Sequence, residues 1–257
     1  MKISVLGSGS KGNSIFCEAG NSKFLIDIGF SYKQVCSRLS AIGESPEDIE
    51  FILISHEHGD HIKGLETFLK NHPIEFYTSF GTRKYLYSKI SNASKGNVMG
   101  RGKVLKCGTA SIRSVDLKHD SAGNIGFYIK DADAAALFIY DTGDIPEMIL
   151  KKIKKVDVLV IEANHDIDLL FGSKYPWNLK RRILGEKGHL SNEQGFEFFA
   201  ELIEAGAGIR YVVPFHLSEE NNSHEKVMKV YTEGFLRKNS VELIMTFQDQ
   251  PSKVIEL

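Results

Sequence analysis

The sequence predicts an α/β fold, a four-layer αββα sandwich in which two sheets pack face to face with helices outside. Three observations carry this expectation. Short β-rich runs follow one another through the first half; strand and helix patterns alternate in the second; and no proline-rich, glycine/serine-rich or acidic linker or internal repeat divides the chain. Residues 1–257 therefore read as one domain, and 42% hydrophobic with 25% charged residues is ordinary for a globular protein with a full core.

The elements follow in order. Ile3–Leu6, Ser14–Glu18 and Lys23–Asp27 are strands separated by Gly, Ser and Asn turn signals. Residues 31–41 have helical spacing, with Val35, Leu39 and Ile42 on one face. Phe51–Ile54 is a buried-type strand that runs into a histidine cluster. Helices are expected at 63–70 and 80–90 around a strand at 75–78, then strands at 103–106, 109–117, 124–130 and 135–140. After these come helix 145–153, strand 157–161, helices 176–184 and 191–204, strand 210–214, helix 223–237 and strand 242–247.

A net charge of −1 gives no global attraction for nucleic acid, so an anionic substrate has to be drawn in locally; a bound pair of dications would do that. Cys17, Cys36 and Cys107 form no CxxC pair and no disulfide framework, which fits a reducing compartment. The first apolar run is too short for a signal peptide, and no stretch reaches membrane-spanning length. A soluble cytoplasmic protein with no membrane association is expected. The sequence is compatible with a homo-oligomer.

Chemistry concentrates in Ser55-His56-Glu57-His58-Gly59-Asp60-His61. His56 and His58, two apart, project the same way from an extended segment, and Gly59 lets the chain turn before Asp60 and His61. Such a cluster can hold two metals, one through His56 and His58, the other through Asp60 and His61. Imidazole and carboxylate suit Zn²⁺, Mn²⁺ or Fe, and the missing thiolate argues against a structural zinc finger. The alternative is a solvated histidine-rich loop. Three of nine histidines within six positions weigh against it, because crowding them beside a carboxylate without a metal is electrostatically costly.

This His-x-His-x-Asp-His run after an apolar strand resembles the signature of the metallo-β-lactamase superfamily, and the resemblance covers nearly the whole chain. It implies the metallo-β-lactamase fold, in agreement with the αββα pattern. Phe24-Leu25-Ile26-Asp27-Ile28-Gly29 would supply Asp27, which orients the cluster from behind. His119 in Val115–Asp120, Asp141 in Phe138–Asp144 and His216 in Tyr211–Ser218 would complete the ligands. The implied assignment is one metal on His56, His58 and His119, the other on Asp60, His61 and His216, with Asp141 bridging.

Ile161-Glu162-Ala163-Asn164-His165-Asp166 and Lys187-Gly188-His189-Leu190-Ser191-Asn192-Glu193 look like the Glu-Ala-Thr and Gly-His-Ser-Thr elements of tRNase Z-type phosphodiesterases, with Asn164 in place of the threonine. Carried over, Glu162 orients His189, which protonates the leaving oxygen. The plainer reading makes His189 a loop residue before a capping box of Ser191 and Gln194; the two are compatible. The opening Gly7–Ser14 loop, Glu162–Asp166, Tyr175–Leu184 and His216–Asn222 resemble the bacterial YycJ/WalJ (VicX) group, which is associated with metal-dependent DNA nuclease activity, including 5′-to-3′ exonuclease activity. No inserted β-CASP domain fits between Asp141 and His189, and no tRNase Z exosite arm is present, which disfavours tRNA 3′ processing.

The resemblance thus implies a phosphodiesterase with two divalent ions (Zn²⁺ or Mn²⁺). A hydroxide bridging them would be the nucleophile, with Asp60 accepting its proton. DNA is favoured over RNA as substrate. Lys180, Arg181 and Arg182 form a basic step beside Trp177, the only tryptophan, and suit phosphates and stacked bases. Ser10 and Asn13 join them as candidate substrate-binding residues. A solvated helical face with Trp177 packed inward is the competing reading. Hydrolysis of a small ester, thioester or cyclic phosphate is the alternative activity. A regulatory protein with a vestigial site is the third, disfavoured because all seven expected ligands are present.

Overall fold

The computed structural model describes residues 1–100 and 102–257. The first half holds β1 (Lys2–Gly7), β2 (Ser14–Ala19), β3 (Ser22–Ile26), α1 (Tyr32–Ala41), β4 (Phe51–Leu53), α2 (Gly59–Ile62), α3 (Leu65–Asn71), β5 (Glu75–Thr78), α4 (Phe80–Tyr87) and β6 (Gly96–Val98). The second holds β7 (Val104–Cys107), β8 (Ala110–Asp116), β9 (Ile125–Asp131), β10 (Ala134–Ile139), α5 (Met148–Lys152) and β11 (Val158–Glu162). It continues through α6 (Ile167–Gly172), α7 (Trp177–Ile183), α8 (Asn192–Glu204), β12 (Tyr211–Phe215), α9 (His224–Val230), α10 (Glu233–Lys238), β13 (Glu242–Leu243) and β14 (Ile255–Glu256).

The strands form two seven-stranded sheets, ordered β14-β1-β2-β3-β4-β5-β6 and β13-β12-β11-β10-β9-β8-β7. In the first, β14 through β3 pair antiparallel and β3 through β6 parallel. In the second, β7 through β10 pair antiparallel and β10 through β13 parallel. Each sheet thus uses the same pattern of pairings, although the sequence shows no repeat.

Alternation along the strands explains the four layers. Phe24 and Ile26 of β3 point between the sheets, as do Phe138 and Val160. Leu25 faces α1 and α3 in a second apolar layer with Val35, Leu39 and Phe68. Leu137, Leu159 and Ile161 face α8 in a third layer with Phe198, Phe199 and Leu202. Both sheets are buried on both faces at their parallel centres, hence the near-continuous apolar runs there. Each fully buried Phe, Leu or Ile contributes roughly 1.5–3 kcal/mol.

Two expected elements differ. The helix expected over 223–237 is two, because Tyr231 leaves helical geometry to pack its buried ring against Phe196 and Phe199, and Thr232 starts a new helix. The strand expected over 242–247 pairs only at Glu242–Leu243. Beyond it the chain turns to the opening loop, where the Phe247 carbonyl accepts from the Ser8 N–H and Gln248 bonds the Lys11 N–H and Gly12 carbonyl. No helix among the described residues is long and apolar enough to cross a membrane.

Candidate metal centre

The site lies where the parallel strands of both sheets end. β4 runs into Ser55–His61, and α2 begins at Gly59, so Asp60 and His61 leave on one short helical turn. Asp27 and His216 follow β3 and β12 directly and Asp141 follows β10 after Tyr140, each with left-handed backbone (φ 57°, 60° and 53°). That conformation is uncommon for residues with a Cβ and costs about 1–3 kcal/mol. Gly29 lets the loops close: a Cβ there would lie 1.7 Å from the Asp60 carbonyl oxygen.

Hydrogen bonds fix the orientation of the imidazoles. His61 Nδ1–H donates to Asp27 Oδ2 at 2.7 Å, which leaves Nε2 facing the cavity. Asp27 is fully buried and also accepts from Ser55 N, Ser55 Oγ and Tyr140 Oη, each at 2.8 Å. Ser55 Oγ, its proton given to Asp27, accepts from His56 Nδ1 at 3.0 Å, so His56 Nε2 also points inward. His119 Nδ1 donates to the Gly188 carbonyl at 3.3 Å. Glu162 Oε1 accepts from His189 Nδ1 at 2.8 Å and His216 Nδ1 at 3.1 Å, while its Oε2 accepts from the N–H groups of Thr142 and Leu190.

The donor atoms converge in overlapping sets, each within 4.8 Å: His56, His58 and His119; Asp60, His61 and His216; and Asp141 with His56 and His61 or with Glu162, His189 and His216. Asp141 Oδ2 lies 3.2 Å from His61 Nε2, and its Oδ1 3.8 Å from His119 Nε2, so it reaches both triads. His56 Nε2, His119 Nε2 and Asp141 Oδ2 are buried without a well-formed hydrogen bond among the described residues. Orphaned buried donors and acceptors of this kind are costly. Nitrogen and oxygen ligands so disposed fit divalent metal ions.

The electrostatics say the same. Burial pushes the His56 and His119 pKa values down, with the charge on His61 adding to the effect at His56. Burial also opposes charge on His61 and His216, but Asp141 and the other carboxylates outweigh it, raising His61 well above its ordinary value and His216 to about 10. Burial opposes charge on Glu162 as well, yet His189 and then His216 pull it down to about 2. Without metal, protons on histidines balance the carboxylates; a metal ion would take their place.

The sequence-predicted residues sort unevenly. All seven expected ligands, Asp27, Glu162 and His189 meet in one place, and the Ser191–Gln194 capping box forms beside the Glu162–His189 pair. Ser10 and Arg182 line the mouth of the cleft, a cavity of about 270 Å³. Lys180 does not reach it: Nζ is turned to the carbonyls of Phe171 and Ser173, where it ties α6 to α7. Asn13 is buried and braces the opening loop against Asp60 and His61 rather than facing substrate. Arg181 is exposed but does not line the cleft, and Trp177 is exposed rather than packed inward. The sequence reading missed Asp120, which pairs with Arg182 and lies 3.3 Å from His119 Nε2, and Tyr140, which stacks on His61. Their one signal was adjacency, each lying next to a candidate ligand.

Comparison with known proteins agrees with this geometry. Residues 22–217 match the family model described as a beta-lactamase superfamily domain. The chain is 36% identical over 230 residues to exodeoxyribonuclease WalJ of Streptococcus pneumoniae, covering 87% of this chain and 84% of that protein. It is 30% identical over 261 residues to exodeoxyribonuclease YycJ of Bacillus anthracis, covering 99% and 98%. The metallo-beta-lactamase fold protein YhfI of Bacillus subtilis superposes with a TM-score of 0.75 over 99% of both chains at 16% identity, a likeness of fold alone. A metal-ready cluster at the strand ends of an αββα sandwich and this degree of identity have one explanation: the chain belongs to the metallo-β-lactamase superfamily, among the WalJ/YycJ relatives, and is a metallohydrolase.

Proposed function

We propose that the protein is a DNA exonuclease working 5′ to 3′ with two divalent ions, Zn²⁺ or Mn²⁺, held as His56/His58/His119 and Asp60/His61/His216 with Asp141 between. The observation that carries this reading is the Glu162–His189 pair at 2.8 Å in the same cleft as the metal donors. A thioester has a good leaving group and needs no acid there; a phosphodiester expels an alkoxide that does. The names of the WalJ and YycJ relatives support the choice of DNA.

The ions, when bound, supply Lewis-acid stabilisation of phosphoryl charge and a water acidified toward neutrality. The chain's own residues do the rest. Glu162 fixes His189 by Nδ1 and so presents Nε2 to the leaving oxygen, to which it gives a proton. Burial disfavours the His189 imidazolium, but Glu162 and Asp141 raise its pKa, which favours the protonated donor. Asp60, reaching toward His61 and His216 at 3.4 and 3.3 Å, accepts the proton of the attacking water.

End-labelled duplex and single-stranded DNA with Mn²⁺ or Zn²⁺ test the reading, with Asp60→Ala as control. Metal-dependent nucleotide release from the 5′ end, lost in the variant, is expected. Degradation from the 3′ end would overturn the polarity, and no cleavage with both metals bound would overturn the nuclease reading.

A further inference from the structure

A second cavity, of about 510 Å³, opens on the outer face of the second sheet, away from the metal cleft. Its floor is apolar, made by Val115, Tyr128, Ile149 and Ile153. Strand register places Lys106, Ser111 and Lys130 in one row across β7, β8 and β9, and Val104, Arg113 and Tyr128 in the next. Directly paired residues share a face, and the intervening Ile112 and Ile129 point into the inter-sheet core, so both rows face outward. Lys103 and Lys152 stand on the cavity rim, and Lys154 follows α5.

Lys103, Lys106, Arg113, Lys130, Lys152 and Lys154 are all exposed, and none makes an ion pair among the described residues. Their neighbours Lys151 and Lys155 are instead paired, with Glu147 and Asp157. Among the described residues, Asp116 is the one acidic residue in the cavity wall. In a chain of net charge −1 this is a concentrated cationic face. Two segments of its wall also lead along the chain to the metal cleft. Asp116 precedes His119 by three residues and Pro146 follows Asp141 by five, so chain length holds the cavity within about 11 and 18 Å of those two ligands.

We propose that this outer face of β7–β9 and α5 binds the phosphate backbone of the nucleic acid whose end is cleaved in the metal cleft. The proposal rests on the nuclease reading and moves the electrostatic footprint away from α7, whose Lys180 is buried and whose Arg182 is held by Asp120. Rows two residues apart set cations about 6.7 Å apart along the strands, and adjacent strands about 4.8 Å apart, a two-dimensional grid for phosphates. Contacts of this kind are independent of sequence and strongly salt-dependent.

The test is fluorescence anisotropy with a labelled 30-base-pair duplex across a salt series. The full chain is used in an Asp60→Ala background, so that DNA is not consumed. Lys106→Glu/Arg113→Glu/Lys130→Glu is compared with the milder Lys106→Gln/Lys130→Gln, and thermal melting confirms that both fold. The triple variant is expected to flatten the slope of log affinity against log salt by about 2.7 and to weaken binding at least tenfold at 0.1 M salt; the double variant should flatten it by about 1.8. An unchanged slope in both folded variants overturns the proposal. So does wild-type affinity for phosphatidylserine vesicles in place of DNA. If the parent enzyme still degrades DNA while the slopes are unchanged, the nuclease reading survives and only this surface falls.

Discussion

Asp27→Asn isolates the part of the candidate site that orients His61. Asp27 Oδ2 accepts three hydrogen bonds, from His61 Nδ1, Ser55 Oγ and Tyr140 Oη, and Oδ1 a fourth from the Ser55 N–H, all buried. An asparagine has one acceptor oxygen, so whichever way the amide is turned its NH₂ faces at least one donor. Losing a bond to a charged group of this kind costs about 1.5–3 kcal/mol. Removing an outer partner of a ligating histidine typically costs 10–100-fold in metal affinity, about 1.4–2.7 kcal/mol, which is the same range. The variant should therefore weaken the Asp60/His61/His216 site by one to two decades in a competition titration against a chelator. The His56/His58/His119 site should change by only a few-fold, through the Ser55–His56 bond. Two sites of parental affinity would refute the argument, and so would a loss confined to the His56 triad.

Glu162→Gln should damage two functions together, because one oxygen orients both His189 and His216. We expect kcat to fall by about 10²–10⁴ and affinity at one metal site by about tenfold, read by steady-state kinetics and chelator titration. His189→Ala should lower kcat on DNA by about 10²–10⁴ but leave hydrolysis of a p-nitrophenyl phosphodiester much less affected; equal losses on both would remove His189 from the protonation step. The pH dependence has a definite sign. In the metal-free protein His216 titrates at about 10, against about 6.5 unfolded, so its stabilising contribution is complete below pH 6.5 and is lost as pH rises through 10. Metal needs His216 neutral, so metal affinity should rise with pH over that window, with proton release measurable calorimetrically in buffers of different ionisation enthalpy.

The layers were legible because short β-rich runs gave way to alternating strands and helices, and the structure shows why they stack: runs such as Phe24-Leu25-Ile26 and Leu137-Phe138-Ile139 are apolar on both faces and need cover on each. His56–His61 was legible because its ligands are local. His119, Asp141 and His216 had no local signal and entered only through family resemblance; the structure gives their physical cause as strand ends that meet. The basic face was invisible because Lys106, Arg113 and Lys130 lie on three strands and become neighbours only through register. Lys180 misled for the opposite reason. Adjacency to two arginines suggested a shared role, but a helix turns successive residues about 100° apart, and Lys180 points at carbonyls.

The last strand has a bearing on how the molecule is assembled. β14 closes the first sheet against β1, and just before it Phe247 and Gln248 fasten the opening loop, whose Asn13 braces Asp60. Those residues follow every other strand of both sheets, so they leave the ribosome after them. Until they arrive, β1 is an unpaired edge and the loop behind Asp60 has lost its clasp. Closure of the loop behind Asp60 thereby waits for this late segment, and a chain cut short before β14 would carry an open edge prone to aggregation.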